Sequence, residues 1–146
     1  MNISVLQTLL DLAKSRSTAA ANQLAREKAM HLEGLNKLSM LSGFKDDYRI
    51  RLQDKMMAGL TVNELNNYQA FIAKLEIAIQ QQENSANQLL EGVEIAKKQW
   101  QDCEKRLLTF ETLMKRARAK AFAVEAKIDQ KLTDEFASRR YALSSL

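Results

Sequence analysis

LNNYQAFIAKLEIAIQQQENSANQLLEGVEIAKKQWQDCEKRLLTFETLMKRARAKAFAVEAKI, residues 65–128, decides the fold. Steps of three and four residues through it meet Leu65, Tyr68, Ile72, Leu75, Ile79, Gln82, Ala86, Leu89, Val93, Ala96, Trp100, Cys103, Leu107, Phe110, Met114, Ala117, Ala121, Val124 and Ile128. Only Gln82 is polar, and the register never slips. The alternation averages 3.5 residues, which keeps the stripe on one side of a slightly underwound helix: the coiled-coil repeat, with left-handed supercoiling. A membrane span would be apolar all round, whereas charges fill the other faces here. At 1.5 Å per residue the seam runs roughly 95 Å, too long for a compact domain of this size, so the sequence predicts a rod.

Working outward, the 146 residues contain no proline, which suits long uninterrupted helices because an interior proline costs about 3 kcal/mol. Upstream, the apolar positions Leu6, Leu9, Leu10, Ala13, Ala20, Leu24, Leu35, Leu38, Leu41, Tyr48 and Leu52 repeat less regularly, and the stripe is small or polar between Arg16 and Lys28. Ser4 with Gln7 fits a capping box at the start of this first helix. Gly34 and Gly43 lower its propensity and make local bending plausible. The break falls at Met56-Met57-Ala58-Gly59-Leu60, where Gly59 suits a left-handed helix end, and Thr61 to Glu64 reads as a second capping box. The fold class expected is all-α: an elongated two-helix antiparallel coiled coil, a hairpin whose second helix is the longer. The expected single domain 1–146 divides into helix one over about 4–56, a loop over about 57–61, helix two over about 62–140 and a frayed tail at 141–146.

Folding back about residue 59 brings residue 4 level with residue 114, so the stripe past Met114 is expected to lack a partner within the chain. It nevertheless continues through Ala117, Ala121, Val124 and Ile128 to Leu132 and Phe136 after a small shift. Charge concentrates in the same place. Residues 1–114 carry 14 basic and 14 acidic side chains, and residues 115–140 carry eight and four, so the whole excess of +4 sits there. A solvated helix end is one reading of this run, and a protein partner with an apolar, partly acidic lining is another. Nucleic acid fits less well, because acids are interleaved and no aromatic platform accompanies the bases.

Several function classes find no support. There is no Gly-rich phosphate loop and no paired Cys/His spacing, so neither cofactor nor metal is expected. His31, the only histidine, falls near the first helix's stripe and reads as a packed or half-exposed residue; Cys103, the only cysteine, reads as a small buried hydrophobe beside Trp100. No enzyme is expected, and no small-molecule substrate. With one cysteine, no signal-peptide pattern and no apolar run of membrane-spanning length, the expected location is cytoplasmic or peripheral to a membrane. Near the turn, Phe44, Tyr48 and Phe71 are expected to form one partly exposed cluster, with Ile77 on the outer face.

Asn67-Tyr68-Gln69-Ala70-Phe71-Ile72, with Leu75-Glu76 and Ala78-Ile79 after it, resembles the central signature of the flagellar FliJ family. Tyr48-Arg49, Ile128-Asp129-Gln130-Lys131 and Asp134-Glu135-Phe136-Ala137 extend the resemblance, which contributes little over the first 30 residues. The resemblance implies a component of the bacterial flagellar type III protein export apparatus: a coiled coil similar to the central stalk of rotary ATPases. Such a stalk occupies the hexameric export ATPase ring (FliI) and promotes its assembly, contacts the cytoplasmic side of the export gate (FlhA) at the inner membrane, and escorts export chaperones. Carried onto this sequence, the gate patch is Leu41, Phe44, Tyr48, Phe71, Leu75 and Ala78, although Leu75 also belongs to the seam. The unpartnered basic segment, represented by Arg116, Lys120, Val124, Lys127, Ile128 and Lys131, is the expected ring contact. The alternatives are the equivalent stalk of a virulence type III secretion system and a basic coiled-coil protein that binds nucleic acid.

Overall fold

The structure, a computed structural model, describes residues 2–145. It contains two α-helices, α1 (Ile3–Ala58) and α2 (Val62–Ser144), and no strand among the described residues. The hairpin of the sequence reading is present, with the longer helix second. α1 is capped by Asn2 rather than by Ser4, since Ser4 N–H donates to Asn2 Oδ1 at 2.9 Å. A short amide side chain accepts this bond as well as a hydroxyl does, so the helix starts earlier than a capping box at Ser4 allows. Gly59 ends α1 with φ of 106°, a left-handed conformation that glycine adopts without a Cβ penalty. Thr61 then caps α2, its Oγ1 accepting from Glu64 N–H at 3.2 Å. α2 is helical past Arg140 to Ser144, where Ala142 and Leu143 are good helix formers with no proline or glycine to stop them. Leu146, the end of the expected tail, lies outside the described residues.

Two compact units divide the chain. In Ala19–Trp100 the helices run antiparallel on either side of the turn, and Leu24, Val93 and Ala96 form a buried cluster with Trp100 packed on it. In the unit of Met1–Thr18 with Gln101–Leu146, Leu6, Leu10 and Met114 are buried together, covered by Leu107, Phe110, Leu113 and Ala117.

The stripe on α1 proves as regular as that on α2. Leu6, Leu10, Ala13, Ser17, Ala20, Leu24, Glu27, His31, Gly34, Leu38, Leu41, Lys45, Tyr48 and Leu52 follow steps of three and four, and every one is buried or half-buried. The stripe looks patchy in sequence because five positions hold a residue that is polar, charged or without a side chain, and each of four has a specific neighbour. Ser17, buried, donates its hydroxyl to Glu104. Gly34 lets the helices approach closely, since a Cβ there would lie 3.1 Å from Leu89 Cδ1, and its carbonyl accepts from Gln82 Nε2 at 3.0 Å. That bond also accounts for the one polar residue in the α2 stripe. The Glu27 carboxylate lies over Gly92, and Lys45 pairs with Glu76 at 3.5 Å. His31 is half-buried, as the sequence suggests; Cys103 is half-buried rather than buried. Gly34 causes no break in α1 and allows close packing against α2.

Candidate functional site

Two surfaces hold the residues singled out by sequence. The first lies near the turn in the Ala19–Trp100 unit. Tyr48 and Phe71 face one another across the helix pair with ring centroids 4.3 Å apart and planes at 31°. Tyr68 joins from the α2 stripe, 6.1 Å from Tyr48 at 58°. These offset and tilted geometries suit the quadrupoles of aromatic rings. The Arg51 guanidinium lies 5.6 Å from the Tyr48 centroid, within range of a cation–π contact. Glu76 receives Lys45 at 3.5 Å and Arg49 at 3.2 Å, which ties the two helices on the neighbouring flank.

The expected cluster is thus partly assembled. Phe71 remains 40% exposed although stacked, and Tyr48 is half-buried. Phe44 is 49% exposed and belongs to no ring pair among the described residues. It stands one step before Lys45 on α1, beside the stripe rather than in it, which turns it outward. Leu41 and Ala78 are half-buried and Ile77 is exposed. Leu75 is only 8% exposed: its place in the α2 stripe puts it between the helices, so it is core and not surface. Tyr68 and Arg51 were not singled out as part of this patch by sequence. Tyr68 occupies a stripe position, which hides its contact with Tyr48, and Arg51 reads as one more surface charge.

The second surface is the end of α2 in the other unit. Arg118 donates to Gln7 Oε1 at 3.2 Å, Ala117 packs on the Leu6 cluster, and Ala121 is half-buried. Cover by α1 therefore reaches Ala121 and does not end at Met114 as expected. Asn2 capping adds residues to the start of α1, and the helices match a few residues further along than a fold about residue 59 suggests. From Phe122 to Ser145 every residue is exposed. Val124, Ile128, Leu132, Phe136 and Leu143 continue the apolar stripe onto this bare helix. Phe122, 74% exposed, widens it, a residue missed in sequence because it stands one place off the stripe.

Among the expected ring-contact residues, Arg116 and Lys120 line a groove where the bare helix begins, together with Ile3, Leu6, Leu113, Ala117, Ala121, Val124 and Glu125. Lys127, Ile128 and Lys131 lie wholly on the bare part. Arg116, Lys120, Lys127 and Lys131 follow one another at four, seven and four residues, so they share a helix face that borders the apolar stripe. None of them is ion-paired among the described residues. Such a face can hold a helix or groove that offers apolar contact edged with carboxylates. Among the described residues no group of three His, Cys, Asp or Glu is placed to hold a metal ion, and no helix is long and apolar enough to cross a membrane.

A family model described as the flagellar FliJ protein matches residues 2–145. A flagellar FliJ protein of Escherichia coli K12 is 38% identical over 134 residues, covering 92% of this chain and 91% of its own. That of Salmonella typhi is 37% identical over 134 residues with the same coverage. Among solved structures, a YscO homologue from Chlamydia trachomatis aligns over 98% of this chain and 93% of its own with a TM-score of 0.72 and 19% identity, a likeness of fold.

Proposed function

The chain belongs to the flagellar FliJ family, a family of flagellar export components, and from that membership we propose that it is the central stalk of the export ATPase ring. The observation that carries this reading is the bare end of α2: a helix from Phe122 to Ser144, exposed at every residue, with an apolar stripe and a basic border. Exposed apolar area of this extent on a helix favours a protein partner. The hexameric ATPase (FliI) is the partner proposed, with Val124 and Ile128 giving apolar contact and Arg116, Lys120, Lys127 and Lys131 steering the helix towards an acidic lining. Removal of apolar surface from water at about 25 cal/mol per Å² would supply the affinity, and the charges the orientation and on-rate.

In the same reading the aromatic patch near the turn meets the export gate (FlhA), through Leu41, Phe44, Tyr48, Phe71 and Ala78 at the surface and Leu75 supporting them from beneath. The stalk thereby links ATPase and gate at the cytoplasmic face of the inner membrane, escorts export chaperones, and has no catalytic group of its own. The test is ATP hydrolysis and hexamer assembly by the cognate ATPase with the wild-type chain and with Lys120→Glu/Lys127→Glu/Lys131→Glu. Stimulation by the wild type and its loss with the triple variant, whose altered side chains are all exposed, is the expected result. Equal stimulation by both would remove the basic face from the contact, and no stimulation by either would end the stalk reading.

A further inference from the structure

We infer that Tyr68 and Arg51 are positioning residues for Tyr48, and that they hold its phenol so that the hydroxyl meets a hydrogen-bond acceptor on the partner. This role rests on the gate contact proposed above and adds to it two residues and one bond. Tyr48 has neighbours from both helices. The Phe71 ring lies 4.3 Å away and the Tyr68 ring 6.1 Å away, centroid to centroid. Tyr68 and Phe71 are three residues apart on α2, so Tyr48 rests against consecutive turns of one helix face. Arg51, three residues after Tyr48 on α1, brings its guanidinium to 5.6 Å from the ring centroid. Contacts from two helices leave a half-buried ring few rotamers to choose from. Phe44, which belongs to no ring pair among the described residues, is not held in this way.

The ring so held is polar at one end. The Tyr48 hydroxyl has no hydrogen-bond partner among the described residues, and it is not sealed from water. A phenol can donate or accept, and the charge beside this one decides between the two. Arg51 is exposed and makes no ion pair among the described residues, although Asp47 stands four residues before it and Asp54 three after. A guanidinium next to the ring favours an acceptor, a carboxylate or a backbone carbonyl of the partner. A ring fixed in place before docking loses little freedom on binding, which is why tyrosines of this kind dominate interface energies. Phe44 and Phe71 offer apolar area alone, so Tyr48 gives the patch its direction. Only the ring of Tyr68 is needed for the role assigned to it.

The test is a double-mutant cycle on binding of the full-length chain to the export gate. Tyr48→Phe is expected to weaken binding about tenfold, the worth of one hydrogen bond. Tyr68→Leu is expected to weaken it about fivefold and Arg51→Met about threefold. Leucine already fills the α2 stripe at Leu65 and Leu75, so Tyr68→Leu keeps an apolar side chain in the seam. Tyr68→Phe restores the ring and is expected to bind as the wild type does. In the Tyr48→Phe background, Tyr68→Leu and Arg51→Met are each expected to change affinity less than about twofold, because the hydroxyl they act through is gone. Undiminished effects in that background would overturn the proposal, and so would wild-type binding by Tyr48→Phe. Positioning is also read without the gate, by nuclear Overhauser contacts between the Tyr48 and Phe71 rings. These are expected to weaken in Tyr68→Leu and to persist in Tyr68→Phe; contacts that persist in both would overturn the positioning role. A wild-type chain that does not bind the gate would instead end the gate reading, and the hydroxyl's part with it.

Discussion

Phe71 and Leu75, one turn apart on α2, divide surface from core near the turn. Phe71 keeps 40% of its surface and stacks on Tyr48, whereas Leu75 is almost enclosed between the helices. Leu75→Ala is expected to cost about 2 kcal/mol, the low end for a large-to-small core change because a two-helix seam collapses readily into the space left. Phe71→Ala is expected to cost about 1 kcal/mol, the value of an aromatic pair beyond its area, and to leave helicity intact while weakening the gate contact. Urea unfolding followed by circular dichroism checks both; equal losses would put Phe71 in the core. Gly43 offers the opposite case. It is exposed, helical and has nothing within 4 Å of where a Cβ would stand, so Gly43→Ala is expected to raise stability by about 0.5–1 kcal/mol. The same change at Gly34 meets Leu89 at 3.1 Å and would forfeit most of that gain.

At the level of the helices, the point where α1 stops covering α2 sets a measurable boundary. Ending the chain after Ala121 removes, among the described residues, only exposed ones and is expected to leave the unfolding midpoint within the error of the wild type. Ending it after Met114 also removes Ala117 and the Arg118–Gln7 bond and is expected to cost about 1 kcal/mol more. Equal loss from both would mean that the bare segment contributes to the fold. This boundary was legible in sequence to within two turns, since folding the chain back about residue 59 matches the two helix lengths; the stripe itself does not mark it, because it runs unbroken to Ile128. The α1 stripe was less legible for a physical reason. Ser17, Glu27, Gly34 and Lys45 hold seam positions through the neighbours they meet across the helix pair, and such partners are invisible along one strand of sequence. The aromatic patch was half legible: Phe44 and Phe71 announce themselves beside the stripe, but Tyr68 and Leu75 are stripe residues whose second contacts, or lack of exposure, depend on packing.

For the molecule as a whole, the contrast is between helix held by tertiary contacts and helix that stands alone. α2 is one continuous element, yet its residues fall into two classes of protection. Through Ala121 they share buried clusters with α1, and beyond it they have only their own backbone bonds and local pairs such as Gln130 with Asp134. A helix end without tertiary contacts frays readily, because most helical stability in proteins comes from packing. Amide hydrogen exchange on dilute full-length chain is therefore expected to be slowest around the Leu6–Met114 cluster and around Leu24, Val93 and Ala96, and at least about tenfold faster from Phe122 onward. Adding the export ATPase should slow exchange between Phe122 and Ser144 if this segment enters the ring. Protection confined to that segment would identify it as the contact surface. Slow exchange beyond Ala121 in the dilute chain alone would instead mean that this end is stable without a partner, and the apolar stripe would lose its claim to be an interface.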